Sequence, residues 1–457
     1  MSHKLTSSRE IAYDIFTRVM KEKVDPNELL DQAFQEAKPP LARIDRNFAK
    51  EVLFGGLRWY YKIFWILQKV SKRDLDSVQD DIKTALILGS YQIFYMDRVP
   101  DRAAVNESVE YVRKKGNPAA VNFVNGILRS ISRRAEYFAK PDKDKQPIEY
   151  LALQFSHPKW IVEKWSRSFN FHKVKDLLAA NNQLPPYTVR VNQIKVKKEE
   201  IPELRNLLLR DEKTKSDRCH LRSCLQLESA PATNEGSLFA KGYFTIQDQA
   251  SQLIPLLLDV RQEERIIDAC CGPGGKTSQI YELSQGTAKI TAIEKSAKQL
   301  EKARRTFERL GHPQPEWVEQ DFLSYIPAEA PDKILLDAPC SGLGVLRRHP
   351  DGKWLKTPSI TNKMAVIQKD LLAQAFKILK VGGELVYSVC SFEPEETYQQ
   401  LEWIRNAFAD RIEVVSPIRR LPDYFKRFVT KENILLIYSG NKESMDGFGS
   451  FIIKKLK

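Results

Sequence analysis

The stretch RIIDACCGPGGKT, residues 265–277, decides the fold of the second half of the chain. A short apolar pattern, Arg265–Ala269, runs into a glycine-rich turn, and a helical pattern follows it. Glycines let the backbone approach a ligand closely, and the first turn of a helix offers unpaired N–H groups. The turn is not a Walker loop, because Cys270 stands where the earlier glycine is required, and it lacks the G-x-G-x-x-G spacing. We therefore predict a cofactor-binding turn after the first strand of an α/β sheet.

Strand and helix patterns alternate from residue 241 to residue 457. The predicted strands are RIIDA, KITAIE, EWVEQ, KILLDA, GELVYSVC, RIEVV, ILLIYS and SFIIKK. This alternation predicts a largely parallel sheet with helices on both faces, that is, a Rossmann-like α/β domain. Ligands of such sheets bind at the carboxyl ends of the strands.

Three carboxylates stand at predicted strand ends: Glu294, Asp321 and Asp337 follow the second, third and fourth strands. Glu294 lies 294 − 275 = 19 residues after the last glycine, where doubly wound folds place the carboxylate that grips a ribose. Any one of these residues can be a helix cap. Three in succession, together with the glycine turn, favour a ligand site.

Two cysteines follow the fourth and fifth strands, in the segments DAPCSG (337–342) and YSVCS (387–391). If these strands are neighbours, Cys340 and Cys390 face one crevice. Paired thiols in a crevice suit covalent catalysis on a pyrimidine ring. Carbon-5 of a pyrimidine is a weak nucleophile, and addition of a thiolate at carbon-6 makes it reactive. Asp337 is placed to hold ring nitrogen N3. A thiolate needs nearby positive charge, for which Arg347, Arg348 and Lys353 are candidates.

The first half of the chain is predicted to be helical, and the stretch after it mixed. Helical patterns fill residues 9–137, and α and β patterns alternate from 148 to 240. We expect three domains: an all-α bundle (1–145), a small α+β module (146–240) and the α/β domain (241–457). The module carries Arg190, Asn192, Lys195, Lys197 and Lys198, expected as an RNA-facing or simply solvated edge.

Charge and composition narrow the class of protein. The chain has 457 residues and a formal net charge of +13, which favours nucleic acid or an anionic membrane surface as partner. No apolar run reaches the ~20 residues of a membrane helix, and no secretory signal is visible, so we expect a cytoplasmic protein. None of the six cysteines forms a C-x-x-C pair, so neither disulfides nor a bound metal is expected.

The cofactor turn and strand-end acids resemble class I adenosylmethionine-dependent methyltransferases. That resemblance implies S-adenosyl-L-methionine as methyl donor. The turn would cradle its methionine and ribose parts with Cys270, Cys271, Gly272, Pro273, Gly274, Gly275 and Lys276. Glu294 would bind the ribose, Asp321 would lie beside the adenine, and Asp337 would also contact the cofactor. Cys271 is otherwise expected to be a small buried residue.

The paired thiols resemble those of the RNA 5-methylcytosine methyltransferases. By that resemblance Cys390 is the nucleophile and Cys340 assists product release. The reverse assignment stays open, because DNA enzymes of this reaction type use the proline–cysteine thiol. Further matching segments are PEE (394–396) and DGF (446–448); Phe448 would stack on a base or pack in the core.

The helical half resembles the NusB-type RNA-binding domain, in Tyr91-Gln92, Arg98–Pro100, Val105–Val109 and Asn122–Arg129. The whole chain therefore resembles the bacterial Sun/RsmB family, with Glu294 where aspartate is commoner and Val389 where threonine is typical. The resemblance implies methylation of a cytosine in 16S ribosomal RNA, naked or in an early assembly intermediate, by a monomer that binds no membrane. Transfer RNA as substrate, or a non-catalytic RNA-binding assembly factor, are the alternatives.

Overall fold

The computed structural model describes residues 7–134, 140–442 and 444–457, without the side chains of residues 132–134. The chain divides into two compact units. The first comprises the residues up to Leu184 together with Leu346–Pro358, and the second comprises Pro185–Val345 and Ser359–Lys457. Among the described residues, we find no helix with the length and apolar character needed to span a bilayer.

The first unit is helical, as its apolar periodicity predicts. In the first helix, Ala12, Ile15, Phe16 and Val19 are buried at helical spacing, which places them on one face. The helices of this unit are α1 (Ser7–Glu22), α2 (Pro26–Glu36), α3 (Arg43–Val70), α4 (Asp80–Tyr95), α5 (Asp101–Lys114), α6 (Pro118–Arg134), α7 (Pro147–Gln154), α8 (Lys159–Ser168), α9 (Phe171–Asn182) and the short α14 (Gly352–Leu355). The apolar faces of α1–α6 share one core, which confirms the all-α bundle.

The segment Leu346–Pro358 joins two elements of the second unit in sequence, but it packs within the helical unit. The Lys353 ammonium is buried and donates to the carbonyl oxygens of Arg58 and Ser156, each at 3.2 Å, and to Asn182 Oδ1 at 2.7 Å. Burial lowers the pKa of Lys353 well below its ordinary value. Trp354 Nε1 donates to the Leu57 carbonyl at 2.6 Å. The expectation that Lys353 supplies positive charge to the thiols is wrong, because its ammonium is enclosed by these acceptors.

The second unit begins with a four-stranded antiparallel sheet in the order β2-β3-β1-β4. Its strands and helix are β1 (Tyr187–Val191), α10 (Ile201–Glu212), β2 (Ser216–Arg218), β3 (Cys224–Leu227) and β4 (Phe244–Ile246). One face of this sheet is apolar: Val189, Val191 and Phe244 are buried with Leu204 and Leu208. The result is a small α+β module, but it does not include residues 147–182, which we expected in it and which form helices α7–α9 of the first unit.

The large sheet of the second unit contains all eight predicted strands. They are β5 (Arg265–Asp268), β6 (Lys289–Glu294), β7 (Glu316–Glu319), β8 (Lys333–Asp337), β9 (Glu384–Val389), β10 (Ile412–Val415), β11 (Leu435–Ile437) and β12 (Phe448–Lys455). Strands β7-β6-β5-β8-β9 are parallel neighbours, whereas β12 lies antiparallel between β9 and β10 and also pairs with β11. The predicted α/β fold is confirmed, with an antiparallel edge.

Helices α11 (Gln249–Leu256), α12 (Gly275–Leu283), α13 (Ala297–Leu310), α15 (Ile360–Ile378) and α16 (Tyr398–Phe408) complete this unit. Local signals fix α13: the Ser296 side chain caps its first turn, and Gly311, at φ +72°, ends it. The chain leaves β5 toward β6 on one side, and β8 lies on the other side. This reversal opens a crevice at the carboxyl ends of β5 and β8, where ligands of such sheets bind.

Candidate active site

A pocket of about 430 Å³ lies at these strand ends. Its volume is typical of small-molecule sites. Residues from the ends of β5, β6 and β8 line it together with apolar side chains: Ala269, Cys270, Glu294, Lys295, Gln320, Asp321, Phe322, Leu323, Asp337, Ala338, Pro339, Cys340, Ile367, Leu371 and Cys390. The pocket thus brings together Cys270, the three predicted carboxylates and both predicted thiols.

The glycine turn is held tightly against α13. Gly272 and Gly274 have φ values of +52° and +79°, which favour glycine. A Cβ atom on Gly274 would come within 3.0 Å of the Ala303 Cβ, so any side chain there would push α13 away. The Cys271 N–H donates to the Ile293 carbonyl at 3.0 Å and ties the turn to the end of β6.

Two of the predicted carboxylates bind backbone near the pocket. Glu294 accepts the Gly272 N–H at 3.1 Å through one oxygen and the Ser296 N–H at 2.9 Å through the other. Asp321 caps the next turn by accepting the Leu323 N–H at 2.9 Å. Both side chains line the pocket as well. Glu294 and Asp321 therefore both accept backbone N–H groups and line the pocket.

Asp268, the last residue of β5, is a buried acid that the sequence reasoning missed. Thr277 donates to its Oδ2 at 2.7 Å, while its buried Oδ1 has no hydrogen-bond partner. Burial raises the pKa of Asp268 to about 7. An acidic residue that ends an otherwise apolar strand immediately before the glycine turn is the signal that could have identified it.

Lys276 and Asp337 form an ion pair between the glycine turn and β8. The Lys276 Nζ lies 2.5 Å from Asp337 Oδ2, and Ser388 Oγ donates to Asp337 Oδ1 at 2.6 Å. Burial lowers the pKa of Lys276, but Asp337 and the nearby Cys390 outweigh it, so the net pKa is raised. Lys276 is thus a positive charge beside the thiols, a role for which the sequence had suggested other residues.

Phe448 is buried in the core of the second unit, with the Lys276 Nζ 5.5 Å from its ring centroid. Of the two predictions for this ring, core packing is the one the structure bears out, because a ring 5% exposed offers no face to a base.

The two thiols meet where β8 and β9 end. These strands are paired neighbours, and the sulfur atoms of Cys340 and Cys390 are 2.8 Å apart. The Gly344 N–H donates to the Cys390 carbonyl at 3.2 Å, and a Cβ on Gly344 would lie only 2.9 Å from that oxygen. Both loops are therefore closely packed around the thiols.

The pKa of Cys340 is raised well above its ordinary value by the hydrogen bond with Cys390, by burial and by nearby negative charge. Cys270 and Cys271 also have raised pKa values, chiefly through burial. A buried thiol with a raised pKa is a poor nucleophile. For Cys271 this agrees with the expectation of a small buried residue.

Arg190 of β1 is fully buried and binds the start of α12, so its placement on an RNA-facing or solvated edge was wrong. Its guanidinium donates to the Gly275 carbonyl and to Gln247 Oε1, both at 2.7 Å. It also forms an ion pair with Glu282 at 2.9 Å. Asn192, predicted on the same edge, is buried too and donates to the Gly242 and Leu310 carbonyls. The lysines at 195, 197 and 198 are exposed.

The mostly parallel sheet with its antiparallel strand β12, and the acid-lined pocket at its switch point, define a Rossmann-like methyltransferase. Three family models match the chain: 16S rRNA methyltransferase RsmB/F at residues 255–454, the NusB family at 6–133, and the RsmF/B-like ferredoxin-like domain at 157–233. The chain belongs to the ribosomal RNA small subunit methyltransferase B family.

Two relatives illustrate the similarity. The probable ribosomal RNA small subunit methyltransferase B of Synechocystis sp. is 32% identical, and the match covers 87% of this chain and 89% of the relative. The protein of the same name from Bacillus subtilis is 30% identical over 97% and 98% of the two chains. The crystal structure of PH0851 matches with a TM-score of 0.80 at 19% identity over 100% of both chains, which shows a shared fold.

The pocket fits the methyl donor that a methyltransferase needs. Adenosylmethionine carries a positive sulfonium and no phosphate, and the carboxylates of Glu294, Asp321 and Asp337 suit such a ligand. Phe322 and Leu323 give the pocket an apolar wall suited to an aromatic base.

Proposed function

We propose that this protein methylates carbon-5 of a cytosine in small-subunit ribosomal RNA, with adenosylmethionine as methyl donor and a covalent cysteine adduct as intermediate. The observation that carries this proposal is the contact of two thiols, 2.8 Å apart, at the mouth of an acid-lined cofactor pocket. Methyl transfer to an oxygen or an amine needs no thiol. Methyl transfer to a pyrimidine carbon does, because that carbon must first be activated.

The proposed reaction proceeds through bonds that the thiols make and break. A thiolate adds to carbon-6, and the electrons of the 5,6 double bond move toward carbon-5 and the N3 side of the ring. Adenosylmethionine, held by the turn from Cys270 to Lys276, would supply the methyl group: its methyl–sulfonium bond would break as the bond to carbon-5 forms, and S-adenosylhomocysteine would leave. A base then removes the carbon-5 proton, the carbon–sulfur bond breaks, and the double bond is restored with release of the thiolate.

We assign Cys390 as the nucleophile and Cys340 as the thiol that assists product release. The raised pKa of Cys340 supports this division, because a thiol that stays protonated is suited to give its proton to the departing Cys390 sulfur, 2.8 Å away, rather than to attack the ring. Lys276 places a positive charge near the proposed nucleophile, Cys390.

Asp337 is proposed to contact the ring at N3. Its carboxyl group is oriented by Lys276 and Ser388, at 2.5 and 2.6 Å. A carboxyl group fixed at this edge of the ring would orient the N3 side for addition of the thiolate at carbon-6.

The proposed cofactor contacts are made by the turn from Cys270 to Lys276, with Glu294 on the ribose and Asp321 beside the adenine. Glu294 already accepts two backbone N–H groups, which fixes its oxygens toward the pocket. Each carboxylate oxygen can accept a second hydrogen bond, so a ribose hydroxyl pair can be bound without breaking the first.

Ribosomal RNA is proposed as the substrate because the relatives matched over nearly the whole chain are named for the small ribosomal subunit. The test is to methylate small subunits stripped of this modification and to locate new 5-methylcytosine by bisulfite sequencing. We expect one new site in the ribosomal RNA. Modification of transfer RNA instead would contradict the substrate, and no methylation of either would favour a non-catalytic assembly factor.

The thiol assignment is tested with RNA that carries 5-fluorocytosine, which blocks the release step and traps the adduct. We expect a covalent complex with the wild type and with Cys340→Ala, and none with Cys390→Ala, on a denaturing gel. Loss of the complex in Cys340→Ala alone would reverse the assignment.

A further inference from the structure

Glu396 is a fully buried carboxylate at the end of a short turn, Pro394–Glu396, that follows the Cys390 loop. Burial of a charge is costly unless hydrogen bonds compensate for it. The groups that bind this side chain therefore indicate why the fold keeps a carboxylate at this place.

Four hydrogen bonds satisfy the two oxygens of Glu396. Oε1 accepts the Ser341 N–H at 2.7 Å and the Gln368 side-chain amide at 3.0 Å. Oε2 accepts the hydroxyl groups of Ser341 at 2.5 Å and of Ser391 at 2.6 Å. All four donors are neutral groups: one backbone amide, one side-chain amide and two hydroxyl groups.

These donors are the chain neighbours of the two thiols. Ser341 directly follows Cys340, and Ser391 directly follows Cys390. Gln368 of α15 also donates to the carbonyl of Pro339, the residue before Cys340, at 2.9 Å. One carboxylate therefore binds, directly or through Gln368, the backbone on both sides of Cys340 and the residue after Cys390.

We propose that Glu396 is a positioning residue for the thiol pair, and that it sets the separation of Cys340 and Cys390 by holding both of their loops. This inference rests on the proposed function of the two thiols. Glu396 acts through Ser341 and Ser391 and is not a catalytic residue. Its negative charge is also among the causes that raise the pKa of Cys340, after the hydrogen bond with Cys390 and burial.

The proposed role depends on the length of the Glu396 side chain and on its charge, and two substitutions separate these two properties. Glu396→Gln keeps the shape and can still bind both serines, because hydroxyl groups accept as well as donate, but it removes the charge. Glu396→Asp keeps the charge and shortens the side chain by one methylene. Glu395→Gln, at the neighbouring carboxylate, is the matched control.

Alkylation of Cys340 by iodoacetamide as a function of pH reports the effect of the Glu396 charge on this thiol. The measurement does not depend on any methylation activity. We expect Glu396→Gln to alkylate Cys340 about tenfold faster at a fixed pH, because removal of a nearby like charge lowers a thiol pKa by on the order of one unit. Glu396→Asp and Glu395→Gln should follow the wild-type pH profile.

The rate of steady-state methylation reports the effect of the Glu396 side-chain length. We expect kcat to fall by about ten- to a hundredfold in Glu396→Asp, with KM for adenosylmethionine within about twofold of wild type, because small misplacements of reacting groups cost rate rather than binding. Thermal melting identifies any variant that fails to fold. The alkylation profile of the other variant then decides whether the positioning role holds.

The positioning role is wrong if folded Glu396→Gln and Glu396→Asp both keep the wild-type kcat and the wild-type alkylation profile. Failure of the proposed function has a different signature: wild-type protein would form no adduct with 5-fluorocytosine RNA, while the alkylation difference between wild type and Glu396→Gln would persist.

Discussion

At the scale of single residues, Asp268 has the clearest consequence for how stability depends on pH. Burial raises its pKa to about 7 in the folded protein, from an ordinary value near 4. Folding therefore takes up a proton between these two pH values. A raised carboxyl pKa makes the folded state less stable as pH rises from about 4 to 7, and the loss levels off above that range.

We expect Asp268→Asn to remove this dependence. The amide oxygen can still accept the Thr277 hydroxyl, so the main change is the loss of a titrating group. The free energy of unfolding of the variant, relative to wild type, should rise between pH 4 and 7 by up to about 4 kcal/mol. Urea denaturation at several pH values measures it. A difference that stays constant across this range would show that Asp268 is ionised in the folded protein.

The sequence predicts where the thiols and the pocket acids lie, but it predicts neither the buried position of Asp268 nor the contacts of Glu396. Cys340, Cys390, Glu294, Asp321 and Asp337 could be found because each stands at a strand end, where the fold dictates exposure to the crevice. The role of Glu396 depends on hydrogen bonds to Ser341, 55 residues away. Such long-range contacts leave no periodic pattern in the sequence.

At the scale of elements, β1 shows why an alternating strand can mislead. Val189 and Val191 alternate with Arg190 and Asn192, which is the pattern of a strand with one solvated face. In the structure α12 covers this polar face, because Ser278 and Glu282 supply acceptors for Arg190. Alternation predicts two chemically different faces of a strand, but it does not show whether the polar face contacts water or the polar surface of a helix.

We expect Arg190→Met to destabilise the protein by about 3–5 kcal/mol, since the buried Glu282 loses its arginine partner and keeps only the longer contacts with His312 and the Gln193 N–H, each at 3.4 Å. The double variant Arg190→Met, Glu282→Leu should recover much of this loss, because replacing both partners removes the uncompensated charge. Lys197→Met, at an exposed position of the same module, is the control. A single variant as stable as wild type would mean that the buried pair contributes nothing.

At the scale of the whole molecule, the net charge of +13 can be tested as an RNA-binding surface. The α+β module exposes Lys197 and Lys198, and the helical unit exposes Arg129. Each phosphate contact adds about 0.7–0.9 to the slope of log affinity against log salt. Affinity for ribosomal RNA should therefore fall steeply as salt rises.

We expect the double substitution Lys197→Gln, Lys198→Gln to reduce this salt slope by about 1.4–1.8. Adduct formation with 5-fluorocytosine RNA at saturating concentration should be unchanged, because neither lysine lines the pocket. Filter binding at several salt concentrations gives the slope, with Lys457→Gln as the control. An unaltered slope would exclude these two lysines from the RNA contact.

The chain passes between the two units three times, after residues 184, 345 and 358. Residues 1–184 alone would lack Lys353, which satisfies the carbonyls of Arg58 and Ser156, and Trp354, which packs edge-on against Tyr60. The helical unit is therefore incomplete if the chain is cut after residue 184. Recombination that exchanged the N-terminal half of the gene would have to exchange a thirteen-residue piece of the second half with it, so the two halves are constrained to evolve together.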